Sequence, residues 1–328
     1  MPTMSQLLRF RYTALIAIAS ATCAAAPAWA QKFPSKPVTI VVPYPPGGTA
    51  DLLARAVGVK LGERLGQPVI VENKAGAGTA IGSRHVAEAA ADGHTLLLGT
   101  VSSHAINPAM TPVGYDPVKD FVPVAPLASI PFVLVANPAS PYNSLSDVIA
   151  AAKSQPSTIS YASAGPGTSN HLAGEMFANS AKIKLLHVPY RGSAPALADV
   201  LAGHVPLMFD LQSTAVPNIK QQKLKALAVT STQRSKLLPQ VPTVAESGLK
   251  DFEVSAWFAL FAPAKTPEGA QHKLSRELHA VMQSPDIQQR LQDMGADPDT
   301  RTNEQFKSYV QDELKKYTSV VKLAGISQ

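Results

Sequence analysis

Cysteine is nearly missing: Cys23 is the single one among 328 residues, and it falls in the N-terminal stretch read below as a leader. A disulfide framework and thiol chemistry are therefore excluded from the rest of the chain. Aromatic residues are only 6% of the sequence, and Lys and Arg are scattered rather than clustered. That excludes the basic, aromatic-studded surface of a nucleic-acid binder. Past the leader, no run stays apolar for the roughly 20 residues a membrane-spanning helix needs. Gly-x-Ser-x-Gly is absent, and Gly167-Thr-Ser-Asn-His171 lacks its second glycine, so no nucleophile elbow is expected. His171 follows Ser169 by two residues on one helix start, badly placed to act as its base. His85 with Glu88 and His171 with Glu175 have helical spacing, but two ligands do not make a metal site. Both pairs read as solvated helix faces. Gly76-x-Gly-x-x-x-Gly82 follows a predicted strand, yet its spacing is one residue too long for a dinucleotide fingerprint, and no acidic residue ends the next strand. The expectation is a protein without catalysis, metal or cofactor.

What is present begins with an export signal. Arg9 and Arg11, the apolar run Ala14 to Ala19 and Ala28-Trp29-Ala30 follow the charged, apolar and small-residue order of a secretory leader, with cleavage before Gln31. A lipid anchor on Cys23 is the competing reading, but Thr22 before it suits that poorly. The leader takes two positive charges off the formal +6 and leaves roughly 300 residues, enough for one large domain or two medium ones.

The chain is organised around Val38-Thr-Ile-Val-Val-Pro-Tyr-Pro-Pro-Gly-Gly-Thr-Ala-Asp51. The β-branched run reads as a buried strand, Gly47-Gly48 as a turn open to a ligand, and Thr49 or Asp51 as the cap of a helix. Leu53, Val57, Leu61 and Leu65 recur every fourth residue on that helix. Strands follow at 68–72 and 94–99, giving the βαβαβ rhythm of a parallel sheet with ligand-binding loops at the strand C-terminal ends. The third strand empties into the loop 100–107, which places His104 at a cleft rim. Phe121 to Ala136 is too interrupted by proline for one strand and too apolar for a loop, so it reads as a crossing to a second α/β lobe. There, strands at 159–163, 184–190, 205–210 and 224–230 alternate with helices, and 164–170 repeats the glycine turn. Phe252 to Ala262 reads as the return crossing. Thr266-Pro-Glu, Ser284-Pro-Asp and Thr302-Asn-Glu then start three helices that pack on the first lobe. The predicted organisation is a leader over 1–30, a first lobe over 31–128 and 255–328, a second lobe over 129–254, and a cleft between them.

Three turns, 45–49, 100–103 and 164–169, supply N–H and O–H donors and contain no Lys or Arg. Neutral donors hold a small anion without the desolvation cost of a buried cation. Asp210 ends a buried strand near the cleft. Ionised, it only accepts hydrogen bonds and would favour an amine, amide or hydroxyl on the ligand; the ordinary alternative is a cap for the next helix near Ser213.

Pro-Tyr-Pro-Pro-Gly-Gly-Thr-Ala-Asp51, Val-Glu-Asn-Lys-Ala-Gly-Ala-Gly-Thr79, Asp-Gly-His-Thr-Leu-Leu98, Tyr-Ala-Ser-Ala-Gly-Pro-Gly-Thr168, His-Leu-Ala-Gly-Glu175 and Val-Pro-Tyr-Arg-Gly192 resemble, in order and spacing, the substrate-binding receptors of tripartite tricarboxylate transporters, the Bug or TctC-like family. The resemblance covers essentially the whole chain after the leader. It implies an α/β, two-lobed periplasmic binding protein of type II with two crossings. It also implies capture of a small carboxylate without catalysis, delivery to the membrane permease subunits of such a transporter, and a monomer with no nucleic-acid partner. The ligand carboxylate would be held by Tyr44, Pro46, Gly48, Thr49, Ser102 and Ser103 of the first lobe and by Ala164, Gly165, Thr168 and Ser169 of the second, with Asp210 at the variable end. A sensor that presents its ligand to a membrane kinase, or an exported hydrolase, are the alternatives. The leader reading predicts a mature N-terminus at Gln31. Intact mass of exported material checks it, and an acylated Cys23 would overturn it.

Overall fold

The computed structural model describes residues 33–325, and the folded unit begins at Lys36. The leader, its cleavage site and Cys23 lie outside the described residues. In the first sheet β1 (Val38–Val42) runs parallel between β2 (Val69–Asn73) and β3 (Thr95–Thr100). Val38, Ile40, Val41 and Val42 are buried, as a central strand covered on both faces requires. Helix α1 (Thr49–Leu65) buries Leu53, Val57, Leu61 and Leu65, and ends where Gly66 turns left-handed at φ 68°. Helix α2 (Ala80–Ala87) returns the chain from β2 to β3.

After β3 the expected loop is a helix: a wide π turn over Ser102–Ile106 continues into α3 (Asn107–Met110). Val101, Ala105 and Ile106 are buried on its inner side, and Tyr115 donates its hydroxyl to the Ser103 carbonyl at 2.6 Å. This helix takes His104 inside rather than to a rim. Its ring stacks on Phe261 with centroids 4.0 Å apart, and its exposure is 0%. Burial drives its pKa down to about 3, so it is a neutral part of the core.

The passage from Phe121 to Ala136 is one strand, β4, contrary to the expectation from its prolines. The register shifts between Pro123 and Ala125 and between Pro126 and Ala128. Bulges there remove the need for ladder N–H groups that proline lacks. Phe121–Pro131 pairs with β9 (Ser255–Pro263) in the first sheet. Phe132–Ala136 enters the second sheet between β7 (Leu207–Leu211) and β8 (Lys225–Val229). β9 is the return passage and lies between β3 and β4, antiparallel to both.

The second sheet continues from β7 to β5 (Ser160–Ser163) and β6 (Leu186–Pro189), all parallel. Its helices are α4 (Leu145–Ser154), α5 (Ser169–Ala181), α6 (Ser193–Leu201) and α7 (Gln212–Lys220). Ser144 opens α4 with a full capping box through Asp147. Thr230, fully buried, ties the two passages between lobes. Its hydroxyl donates to Val254 O at 2.6 Å and accepts from Phe132 N at 2.8 Å. Its backbone also bonds Phe132 O and Val254 N.

The C-terminal helices α8 (Glu268–Met282), α9 (Pro285–Asp293) and α10 (Asn303–Ala324) follow, with the short β10 (Asp297–Pro298) pairing on β4. α8 and α10 pack against β4, and α10 also covers the π turn. Thr302 and Gln305 form a capping box at the start of α10. Phe306, at 0% exposure, meets Trp257 edge-on at 5.3 Å, and Trp257 donates to buried Glu313. Phe306→Ala should cost about 3–5 kcal/mol, read as a lower urea midpoint; an unchanged midpoint would show that α10 is not held by this contact. The imidazole signals of His104 should stay those of a neutral ring from pH 7.5 to 5.5. Because its folded pKa is depressed, it adds stability that is present above about pH 6.5 and lost as pH falls toward 3.

Candidate functional site

The site is built from turns at the C-terminal ends of strands in both lobes. In the first, Gly47 takes φ +86°, and the buried Asp51 accepts from Gly47 N at 3.0 Å, Asn73 Nδ2 at 3.0 Å and Arg55 Nε at 3.1 Å. Burial raises the Asp51 pKa, but these partners outweigh it and hold the carboxyl below its usual range. Asn73 also donates to Tyr44 O, so one acid fixes the whole 44–51 turn. The N-cap is Gly48, with no side-chain cap. Thr49 does not cap; its hydroxyl meets Ser213 Oγ, on α7 of the other lobe, at 2.6 Å.

At the second turn Thr100 meets Tyr44 of the first, their hydroxyls 3.0 Å apart. Ser102 Oγ accepts from Ser169 N at 3.0 Å, a direct bond between the lobes. Ser103 faces inward: its Oγ donates to Thr100 O and accepts from Thr100 N.

The third turn, 164–169, is held from within. Asn170 Oδ1 accepts from Ala164 N and from the Thr168 hydroxyl, which also lies against Gly165 O. Thr168 therefore spends its proton on the turn. Ser163 Oγ accepts from Gly165 N and bonds His187 Nε2 at 2.6 Å. His187 stacks on His171 at 4.1 Å. The expected solvated face of His171 and Glu175 is instead largely buried: His171 is 6% exposed, burial lowers its pKa to about 3, and Glu175 accepts from Tyr161 Oη.

Between these turns lies a cavity of ≈ 40 Å³. Of the residues singled out from sequence, Tyr44, Gly48, Thr49, Ala164, Thr168, Ser169 and Asp210 line it. Pro46 is exposed at the tip of its turn, Ser102 and Ser103 sit behind the wall, and Gly165 faces an outer groove instead. Sequence reasoning missed Asn170, Ser193 and Leu211, and it placed Phe132 and Phe258 in the two crossings rather than in the cavity wall. A signal existed for Ser193, which opens α6 directly after Gly192 as Thr49 opens α1 after Gly48.

The first turns of α1, α5 and α6 border the cavity, so three positive dipole ends converge there. No Lys, Arg or His lines it among the described residues. Phe132, Phe258, Ala256 and Leu211 add an apolar wall. Asp210 is 1% exposed and accepts from the Thr214 hydroxyl at 2.7 Å. Burial pushes its pKa up to about 7, against the opposing pull of the Thr214 and Leu211 hydrogen bonds. It is not the N-cap of α7, which is Leu211, and its raised pKa makes it less readily ionised than the carboxylate expected from sequence.

Known proteins share this fold. Residues 53–326 match the family described as tripartite tricarboxylate transporter family receptor. The structure of the periplasmic binding protein BugD is 35% identical, with a TM-score of 0.86, covering 90% of this chain and 99% of that one. Rpa4515 of R. palustris with adipate is 34% identical, with a TM-score of 0.86 and the same coverage. MatC of Rhodopseudomonas palustris with bound malate is 36% identical, with a TM-score of 0.84, covering 88% of this chain and 100% of that one. Two lobes, crossings and cleft agree with these neighbours, and the chain belongs to the tripartite tricarboxylate transporter (TctC, or Bug) family of solute receptors.

Proposed function

We propose that this receptor captures a small carboxylate-bearing metabolite in the interlobe cavity and delivers it, unchanged, to the membrane subunits of a tripartite tricarboxylate transporter. One observation carries the reading: the cavity gathers hydroxyls and three helix N-termini and contains no basic side chain. Helix N-termini stabilise a carboxylate by aligned N–H groups, and neutral donors avoid the burial of a strongly hydrated cation. The adipate and malate bound by the two R. palustris neighbours support the same ligand class. No described helix is long and apolar enough to cross a membrane. We take the mature chain to be periplasmic and monomeric, exported by a leader that ends near Ala30, with the lobes dividing near residues 129 and 255.

The lobes touch through Thr49–Ser213 and Ser102–Ser169, and a Cβ placed on Gly48 would lie 3.0 Å from Ser193 Oγ across the cleft. The Gly48 backbone, at φ −86°, suits alanine. Closure therefore depends on this glycine without strain in its own lobe.

A thermal-shift panel of small carboxylates, malate and adipate included, should raise the melting temperature. Ligand at 100 times Kd adds about 2.7 kcal/mol, and a panel without any stabilising member would count against the reading. Ser169→Ala should weaken the best carboxylate by about 1.5–3 kcal/mol, or roughly tenfold to a hundredfold by calorimetry; wild-type affinity would remove that hydroxyl from the site. Gly48→Ala should weaken binding at an unchanged melting temperature of the free protein, and adding Ser193→Ala should restore it. Failure of the double variant to recover would show that the Gly48–Ser193 approach does not limit closure.

A further inference from the structure

Among the described residues Asp210 is the one carboxyl that lines the cavity, and its burial away from any cation there disfavours a charge. It is 1% exposed. Hydrogen bonds from the Thr214 hydroxyl and the Leu211 backbone favour the ionised form, but burial outweighs them, and among the described residues no ammonium, guanidinium or imidazole lines the same space. A buried carboxylate without a cation is costly, and such a group takes up a proton instead.

The elements packed against β7 supply no compensating charge. β4, with Val133 opposite Asp210, carries no titratable residue. On β5, Tyr161 is turned to Glu175 of α5, and His171 of α5 stacks on His187. On α6, Asp199 accepts from Tyr190. On α7, Lys220 is exposed at the far end of the helix. From the first lobe comes Tyr44, whose phenol burial holds above its ordinary pKa, in its protonated form.

We propose that Asp210 determines specificity as a neutral acid, donating its carboxyl proton in a hydrogen bond to a second carboxylate of the ligand. This rests on the carboxylate reading of the cavity and narrows it. One ligand carboxylate is met by the helix N-termini, while the other is met by the Asp210 acid. The site then favours dicarboxylates and disfavours ligands that bring an ammonium group to that end, since an ammonium needs an acceptor and finds a donor. When Asp210 ionises it repels the second carboxylate, so dicarboxylate affinity falls with rising pH.

The test uses the mature protein labelled with ¹³C at Asp Cγ, the Asp210 signal being identified by its loss in Asp210→Asn. Its midpoint in the free protein should lie near neutrality, about 7, and saturation with adipate or malate should move it upward. Wild-type affinity for the tighter of these two should fall about tenfold per pH unit above that midpoint. L-aspartate, which carries an ammonium, should not gain from acidification. Asp210→Asn keeps a donor that cannot ionise. It should bind the dicarboxylate at pH 6 within a few-fold of wild type and lose the pH dependence. A midpoint below 5, a midpoint lowered by bound dicarboxylate, or equal losses in Asp210→Asn at pH 6 and pH 8 would each overturn the assignment while leaving the receptor reading intact. A neutral midpoint with no dicarboxylate bound at any pH would overturn the ligand role of Asp210, while the carboxylate reading falls only if every carboxylate of the panel also fails to bind.

Discussion

A buried hydroxyl holds the two halves of this molecule in register. Thr230 bonds to Phe132 at the point where β4 leaves the first sheet and to Val254 just before β9 enters it. Each passage is a single extended strand, and Thr230 ties the two side by side. Phe132 and Phe258 extend from these same passages into the cavity wall. The passages between the lobes and the floor of the site are therefore one piece of structure.

The site solves an electrostatic problem without formal positive charge. Its donors are hydroxyls and helix N-termini, each fixed by bonds made elsewhere: Asp51 holds the first turn, and Asn170 with Ser163 holds the third. Fixed dipoles need no reorganisation when an anion arrives, whereas a long cationic side chain must be both desolvated and ordered. Behind the third turn the His171–His187 stack stays neutral because it is buried, which keeps a stray positive charge away from the cavity.

Much of the architecture was legible in local pattern. Val38–Val42 reads as a central strand because both its faces are covered, and the stripe on α10 reads as a docked helix because Phe306, Val310 and Tyr317 are in fact inward. β4 was not legible as a strand, since proline's penalty applies only where a ladder bond is demanded, and its bulges remove that demand. His104 and His171 misled for a different reason. Phe261 lies far from His104 in sequence and His187 reaches His171 only by folding back from the next strand, and nothing local marks a histidine as core. At the candidate site the three turns stood out by composition, but which hydroxyl faces the cavity depends on hydrogen bonds such as Thr168 to Asn170 that spacing does not encode. The raised pKa of Asp210 was likewise beyond sequence, because it comes from burial in three dimensions.

The sheet order carries a consequence for how the chain acquires its structure. β3 and β4 are neighbours only through β9, which lies between them although more than a hundred residues separate it from either in the chain. A polypeptide emerging N-terminus first thus has every strand of the second lobe available while the first sheet still lacks its middle member. The lobe that starts the sequence is the last to be completed. Until residues beyond 255 are delivered, β1, β2 and β3 form only an open fragment whose exposed edge invites wrong partners. Chain order, rather than stability, makes the first lobe the vulnerable one.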